Sequence, residues 1–271
     1  MKDFEIGKYL NRINLQNCDA NLEDLKLLQQ SHIEHIPFEN LDVVVGRKIN
    51  LAYKHLFQKI VSSGRGGYCF ELNMLYGSLL KSLGFLIKPV LGRVWLRNPE
   101  QTPPRNHLSF LVKLKKETFV TDVGFGGLTT RIPLNINEQS AVNDSDGLVR
   151  ILPFDNKQYM IQRKVGNEWA NQYSFENVEI SEEDIQISNY YMSTNPNSHF
   201  FNDSFIGIFT KEGRIGLYNN QMSTRNGIEV VDKKHIPYGS EWVDTVKRYF
   251  GLALDFSPKE FNQLFRKGSF L

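Results

Sequence analysis

Cysteine is scarce in this chain: two residues in 271, Cys18 and Cys69. That count excludes a disulfide framework and makes a reducing cytoplasm the expected setting. An excess of charge is missing as well. With 32 basic and 30 acidic residues the net charge is +2, too even for nucleic acid or an anionic membrane surface as main partner. No run approaches the ~20 apolar residues of a membrane helix, and Met1 to Leu15 holds no continuous apolar stretch of signal-peptide type. No Cys/His set has zinc-ligand spacing, so no metal is expected. There is no Gly-x-x-x-x-Gly-Lys phosphate loop, no internal repeat and no long linker. Aromatics, by contrast, are plentiful, with 19 Phe and 11 Tyr. They imply a well-filled core or a pocket for a flat apolar ligand. The hydrophobic share of 41% is enough for a sizeable core, and the length suits two or three tightly packed subdomains.

The pattern changes twice along the chain. Up to Leu86 it is helical. Phe4, Tyr9, Leu10 and Ile13 mark a first amphipathic helix, and Asn21 caps a second whose Leu22, Leu25 and Leu28 share a face. Pro37 breaks it. Leu51–Phe57 predicts a third helix and Cys69–Leu83 a fourth, stopped by Gly84. From Lys88 the spacing is that of short strands: Lys88–Leu96, His107–Leu114, Thr118–Val123, Leu148–Leu152, Tyr159–Arg163 and Trp169–Tyr173, a barrel or curled antiparallel sheet. The last third is mixed. Ser181 opens a helix with a capping-like start, Phe205–Lys211 and Arg214–Tyr218 pair around Glu212-Gly213, Glu241–Phe250 has helical spacing, and Ser257-Pro258 caps a final short helix. The expected class is α+β, divided as 1–86, 87–187 and 188–271.

The chemistry centres on Cys69. In Arg65-Gly66-Gly67-Tyr68-Cys69-Phe70-Glu71 a glycine pair gives way to helix formers, which sets a thiol on the first turn of a helix. Unpaired amide N–H groups and the helix dipole there favour thiolate, the nucleophilic form. Such a nucleophile needs a histidine to take its proton and a third group to orient that histidine. Of the six histidines, only His107 opens an alternating strand-like segment. The next such segment ends at Asp122. If the two strands pair, His107 and Asp122 meet across the ladder. Residue types alone leave a buried helix cysteine, a satisfied strand histidine and a turn aspartate open.

The motifs around these residues add a resemblance. Arg65-Gly66-Gly67-Tyr68-Cys69-Phe70-Glu71, Asn106-His107-Leu108, Asp122-Val123-Gly124-Phe125-Gly126-Gly127 and Ile36-Pro37-Phe38-Glu39-Asn40-Leu41 resemble the signature segments of the arylamine N-acetyltransferases. The spacings of 38 and 15 residues between Cys69, His107 and Asp122 also fit. The resemblance is strongest from Ile36 to Gly127 and looser beyond Ile180. It implies an N-terminal helical bundle, a middle antiparallel β-barrel and a C-terminal α/β lid, with a papain-like Cys-His-Asp arrangement. It implies acetyl transfer from acetyl-CoA to an arylamine or arylhydrazine, extending to O-acetylation of N-hydroxyarylamines. The route is ping-pong, through an acetyl-Cys69 thioester, with His107 as base and Asp122 orienting it. By the same resemblance Gly124, Phe125, Gly126 and Gly127 lie beside the pantetheine arm of CoA, and Phe38, Phe125 and Phe200 line the acceptor pocket.

Other residues take supporting parts. Arg65 and Glu71 are expected to hold the loop and helix around Cys69 by ion pairing. Cys18 is expected to be an incidental thiol, and His32 and His35 to be surface or capping groups. The same triad also serves cysteine hydrolases and natural-product amide synthases, which remain the competing functions.

Overall fold

A computed structural model describes residues 1–96, 99–155 and 157–267. The N-terminal part is built from α1 (Asp3–Arg12), α2 (Leu22–His35), β1 (Phe38–Glu39), α3 (Leu41–Val44), α4 (Tyr53–Leu56) and α5 (Cys69–Ser82). Tyr9, Leu10 and Ile13 are buried on one side of α1; the side chain of Phe4 lies outside the described residues. Asn21 caps α2 by accepting the Asp24 N–H at 2.9 Å, and the helix ends where Ile36 turns extended before Pro37. The third helix starts at Tyr53 and passes directly into a π-helical stretch, Phe57–Ser62. Propensity gives no warning of such a wide turn, which is rare and concentrates near functional sites. This one carries Lys59 towards the loop before Cys69.

The middle strands are β2 (Leu86–Val94), β3 (His107–Leu114), β4 (Glu117–Thr121), β5 (Leu134–Asn135), β6 (Val142–Asp144), β7 (Gly147–Pro153), β8 (Gln158–Val165) and β9 (Glu168–Glu176). They form one antiparallel sheet in the order β5-β4-β3-β2-β9-β8-β7-β6. The end strands β5 and β6 do not pair, so among the described residues the sheet curls into an open half-barrel instead of closing. Both end strands are only two or three residues long, too short to complete a ring. Val90, Leu111, Val120, Val149, Ile161 and Phe175 fill its interior. Phe70, Leu72, Leu75 and Leu79 of α5 belong to a second apolar cluster shared with Leu108 and Val112 of β3. Each such buried side chain contributes about 1.5–3 kcal/mol, which fixes α5 rigidly beside the start of β3.

The last part contains α6 (Glu182–Thr194), α7 (His199–Asn202), β10 (Phe205–Phe209), β11 (Gly213–Tyr218), β12 (Gln221–Asn226), β13 (Glu229–His235), α8 (Ser240–Phe250) and α9 (Pro258–Lys267). Ser181 and Asp184 cap α6 reciprocally, and the divide expected between 187 and 188 falls inside this helix. Strands β10 and β11 pair as the sequence predicts. Two further strands, β12 and β13, extend their sheet, and β1 joins its other edge, Phe38 opposite Gly207. Trp242, Val246 and Phe250 of α8 and Leu264 of α9 cover one face of this sheet over Ile206, Leu217 and Met222. Gly251 ends α8 in the left-handed region at φ 67°. Among the described residues no helix is long and apolar enough to cross a membrane.

Candidate active site

The thiol, the imidazole and the carboxylate come from three different elements. Cys69 is the first residue of α5 and is buried. Glu71 accepts the Tyr68 N–H at 3.2 Å, which ties down the first turn. His107 opens β3, and Asp122 follows the last residue of β4. The hairpin register sets Phe110 opposite Thr121, so both side chains sit at the open end of the ladder, His107 Nε2 at 2.7 Å from Asp122 Oδ2. Cys69 Sγ is 3.9 Å from the carbonyl oxygen of Asn106, and the Leu108 N–H also points at it. The sulfur therefore lies against the backbone on both sides of His107. With Nε2 taken by Asp122, Nδ1 is the ring nitrogen left for a proton from the thiol.

Asp122 is buried but well supplied with donors. Its Oδ1 accepts Asn73 Nδ2 at 2.9 Å and the Gly124 N–H at 2.8 Å. Burial by itself raises its pKa. The charge and hydrogen bond of His107, with the bonds from Asn73 and Gly124, more than offset that and leave it below the usual carboxylate range. Asn73 also donates to the Leu108 carbonyl at 2.7 Å and accepts the Val123 N–H at 3.1 Å. It thus ties α5 to both strands. Gln29 of α2 accepts the Asp122 N–H at 3.3 Å and the Thr121 hydroxyl at 2.7 Å. Neither residue is singled out by sequence. Asn73 was within reach, since it stands one helical turn after Cys69 on the same face; Gln29 is 93 residues from Asp122 and carries no local signal.

The structure corrects two expectations. The helix start was expected to favour thiolate. Burial instead pushes the Cys69 thiol well up and the Asp122 charge adds to this, while hydrogen bonds from the backbone of Phe70 and Leu108 oppose it without prevailing. Ionisation of this sulfur therefore requires its proton to pass to a neighbouring base. His32 is neither a surface nor a capping group. It is fully buried on the inner side of α2, bonded to the Tyr9 hydroxyl at 2.9 Å and set edge-on to Tyr9 and Tyr76. Desolvation, with Arg12 adding to it and Asp122 opposing, lowers its pKa to about 3. His35 does serve as an end group, bonded to the Ser31 carbonyl at 2.8 Å. Cys18 is half-exposed, and burial beside Asp24 and Asp19 raises its pKa to about 11.

Arg65 and Glu71 belong to a buried ionic network behind the thiol. Arg65 bonds Glu39 at 2.7 Å and Asp42 at 3.0 Å; Lys59 bonds Asp42 at 2.7 Å and Glu71 at 2.8 Å. Removing one partner of such a set costs about 3–5 kcal/mol because it strands the other charges. The network clamps the loop that delivers Cys69.

The expected pocket residues also converge. Phe125 stands edge-on to His107 with centroids 5.2 Å apart, and Tyr173 does so at 4.7 Å. Phe38 contacts Phe200 at 5.7 Å and Phe205 at 5.5 Å. Phe200 also meets Tyr68, the residue before the thiol, at 6.0 Å. The glycines join the two groups: a methyl on Gly126 would lie 2.8 Å from the Phe38 ring, and one on Gly127 2.7 Å from that of Phe125. Gly124 packs directly on Cys69, where a methyl would stand 2.9 Å from its Cα. Tyr68, Tyr173 and Phe205 are the ring contacts that the sequence reading missed. Among the described residues, no group of three His, Cys, Asp or Glu side chains is placed to hold a metal ion.

Comparison with known proteins gives this geometry a family. A family model described as N-acetyltransferase matches residues 21–259. The arylamine N-acetyltransferase of Escherichia coli K12 is 32% identical, over 92% of this chain and 89% of its own length. A Salmonella typhimurium relative named arylamine N-acetyltransferase / N-hydroxyarylamine O-acetyltransferase is 30% identical, over 91% and 88%. Among solved structures, the arylamine N-acetyltransferase from Salmonella typhimurium superposes with a TM-score of 0.91 at 29% identity, covering 97% of this chain and 98% of that one. The Mycobacterium marinum enzyme in complex with CoA gives 0.89 at 28%, covering 97% and 98%. The protein is an acyltransferase. It belongs to the arylamine N-acetyltransferase family.

Proposed function

We propose that this enzyme moves an acetyl group from acetyl-CoA to the nitrogen of an arylamine or arylhydrazine by a ping-pong route through acetyl-Cys69. What chiefly supports this is the placement of the Cys69 sulfur against the backbone flanking His107, whose Nε2 is held by Asp122. In the first half-reaction the Cys69 proton passes to His107 Nδ1 and the sulfur attacks the thioester carbonyl. The C–S bond to CoA breaks, and the CoA sulfur leaves with that proton. In the second, the amine nitrogen attacks acetyl-Cys69, His107 takes the amine proton, and it returns to the sulfur as the thioester breaks. Exchange between two thioesters is close to energy-neutral, so the donor's activation is retained on the enzyme. Asp122, kept ionised by its donors, fixes the imidazole tautomer and stabilises its charged form. Because burial opposes a free thiolate at Cys69, the sulfur becomes nucleophilic only as an ion pair with His107.

Gly124, Phe125, Gly126 and Gly127 are assigned to the pantetheine arm, and Phe38, Phe125 and Phe200 to the aromatic acceptor. The contacts of Phe38 with Phe200, and of Phe125 with His107, favour that assignment. O-acetylation of N-hydroxyarylamines uses the same site with an oxygen acceptor, and the cytoplasm is the expected place of action. The three-part division into helical bundle, half-barrel and lid remains our reading of how the site is assembled. Cys69→Ser tests the scheme: transfer from acetyl-CoA to an arylamine is expected to fall to background, and retained turnover would remove Cys69 as nucleophile.

A further inference from the structure

Asn40 stands at the N-terminus of α3, where an asparagine ordinarily caps its own helix. Here it makes no such bond. The Leu41 N–H goes to Glu39 Oε2 at 2.9 Å instead. The Asn40 carboxamide turns to a segment 160 to 165 positions later in the chain. Its Nδ2 donates to the Phe200 carbonyl at 3.0 Å and to the Asp203 carbonyl at 2.7 Å. Its Oδ1 accepts the Phe205 N–H at 2.7 Å, and its own N–H donates to the Phe205 carbonyl at 3.3 Å. Both amide hydrogens and the oxygen are thus engaged by main chain, and the residue is buried.

That segment needs an anchor. α7 is a single short turn, and none of its four side chains is fully buried. Ser198 bonds the Met192 carbonyl and Asn202 the Pro196 carbonyl, both within the same stretch of chain. Asn219 braces Ser204 and Asp203. Asn40 reaches the carbonyl of Phe200 itself. The Phe200 ring lies 5.7 Å from Phe38 and 6.0 Å from Tyr68, the residue before the thiol. Phe38 is two residues from Asn40, and Phe205, whose N–H Asn40 holds, meets Phe38 at 5.5 Å. One carboxamide therefore sets the spacing of three rings beside Cys69. A local capping rule given up for a distant tie is the pattern expected at a functional site.

We propose that Asn40 is a positioning residue for the amine acceptor: by fixing Phe200 against Phe38 and Tyr68 it sets the gap that grips the acceptor's aromatic ring. The proposal rests on the acetyl-CoA and acceptor readings above and adds to them the residue that holds the pocket's wall in place. Discharge of preformed acetyl-Cys69 by phenylhydrazine and by unsubstituted hydrazine tests it. The two share a nucleophilic nitrogen and differ in the ring. Rates are taken per acetylated protein, so unfolded chains do not count. Below saturation, Asn40→Ala should slow phenylhydrazine about fivefold or more. Discharge by hydrazine, and acetylation of Cys69 by acetyl-CoA, should each stay within about twofold. Phe200→Leu should lower the phenylhydrazine-to-hydrazine ratio as well. The double variant should fall little further, because both changes act through one ring. Asn40→Ser leaves one hydroxyl donor in place of two amide hydrogens. It keeps the test open if Asn40→Ala does not fold, and its ratio should lie between those of Asn40→Ala and the wild type. A wild-type ratio in the Asn40 variants, equal slowing of both hydrazines, or additive losses in the double variant would overturn the role of Asn40 alone. A wild-type ratio in Phe200→Leu would overturn the acceptor assignment of Phe200 with it. A wild-type protein that forms no acetyl-Cys69 would overturn the acetyl-CoA reading.

Discussion

Gly124 offers a steric test of the site. It follows Val123 in the loop after Asp122, and its missing side chain is the space into which the first turn of α5 fits. A methyl there would stand 2.9 Å from Cys69 Cα, 3.0 Å from the Cys69 carbonyl oxygen and 2.6 Å from Asn73 Nδ2. Ordinary contact begins at 3.4 Å, so the helix and the loop must part by about 0.5 Å at Cys69 Cα (3.4 − 2.9) and by about 0.8 Å at Asn73 Nδ2 (3.4 − 2.6). Asn73 cannot yield freely, because its amide is engaged by Asp122 and the Leu108 carbonyl. Gly124→Ala is therefore expected to cost about 1–3 kcal/mol of stability through overpacking. It should also move the sulfur away from the His107–Asp122 pair. Displacements approaching 1 Å cost about 100-fold in rate, so acetylation of Cys69 should slow by about 10- to 100-fold. Urea unfolding gives the first quantity, and rapid-quench mass spectrometry of a single turnover with acetyl-CoA gives the second. Gly7→Ala is the control. It lies on the exposed side of α1 with nothing within 4 Å, and should add about 0.5–1 kcal/mol by helix propensity without touching the rate. A Gly124→Ala protein acetylated at the wild-type rate would refute the argument that close packing of this loop on α5 sets the geometry.

Three further outcomes follow from the same structure. Asp122→Asn should leave a folded protein acetylated about 10³- to 10⁴-fold more slowly, because an amide no longer fixes the imidazole tautomer; near-normal rates would show that another group orients His107. Iodoacetamide at neutral pH should label Cys69 ahead of Cys18 in the wild type, with acetyl-CoA protecting, and lose that preference in His107→Gln, where burial alone governs the thiol. Labelling of Cys69 that ignores the substitution would contradict the ion pair. His32 makes the fold acid-sensitive. Its pKa is about 3 when buried and about 6.5 when unfolded, so the unfolded chain binds more protons between those values. Stability should fall by ~1.4 kcal/mol per pH unit as pH drops below about 6.5. His32→Gln should flatten that slope in urea midpoints measured against pH; parallel curves would exclude His32 as its source.

Much of this was legible in the sequence because the signals are local. The glycine pair before Cys69 marks a helix start, alternation marks β3 and β4, and a hairpin brings the end of one strand to the start of the other. The same locality explains what was missed. Strand β12 is largely polar and half-buried and β13 is largely exposed, so they show little alternation of apolar residues. The strand β1 is two residues long and pairs with a partner 169 positions away, Phe38 with Gly207. His32 reads as a helix-end residue by position, and only the packing of α2 on α1 and α5 buries it. The thiol was misjudged for a related reason: the helix terminus is visible in sequence, whereas the desolvation that outweighs it comes from the surrounding chain.

Intact-protein mass spectrometry after mixing with acetyl-CoA, followed by an arylamine or arylhydrazine chase, tests the central claim most directly. A single acetyl adduct on Cys69 that disappears at the rate acetylated product forms is the expected result. Absence of an adduct during turnover, or one that the amine does not discharge, would contradict transfer through acetyl-Cys69.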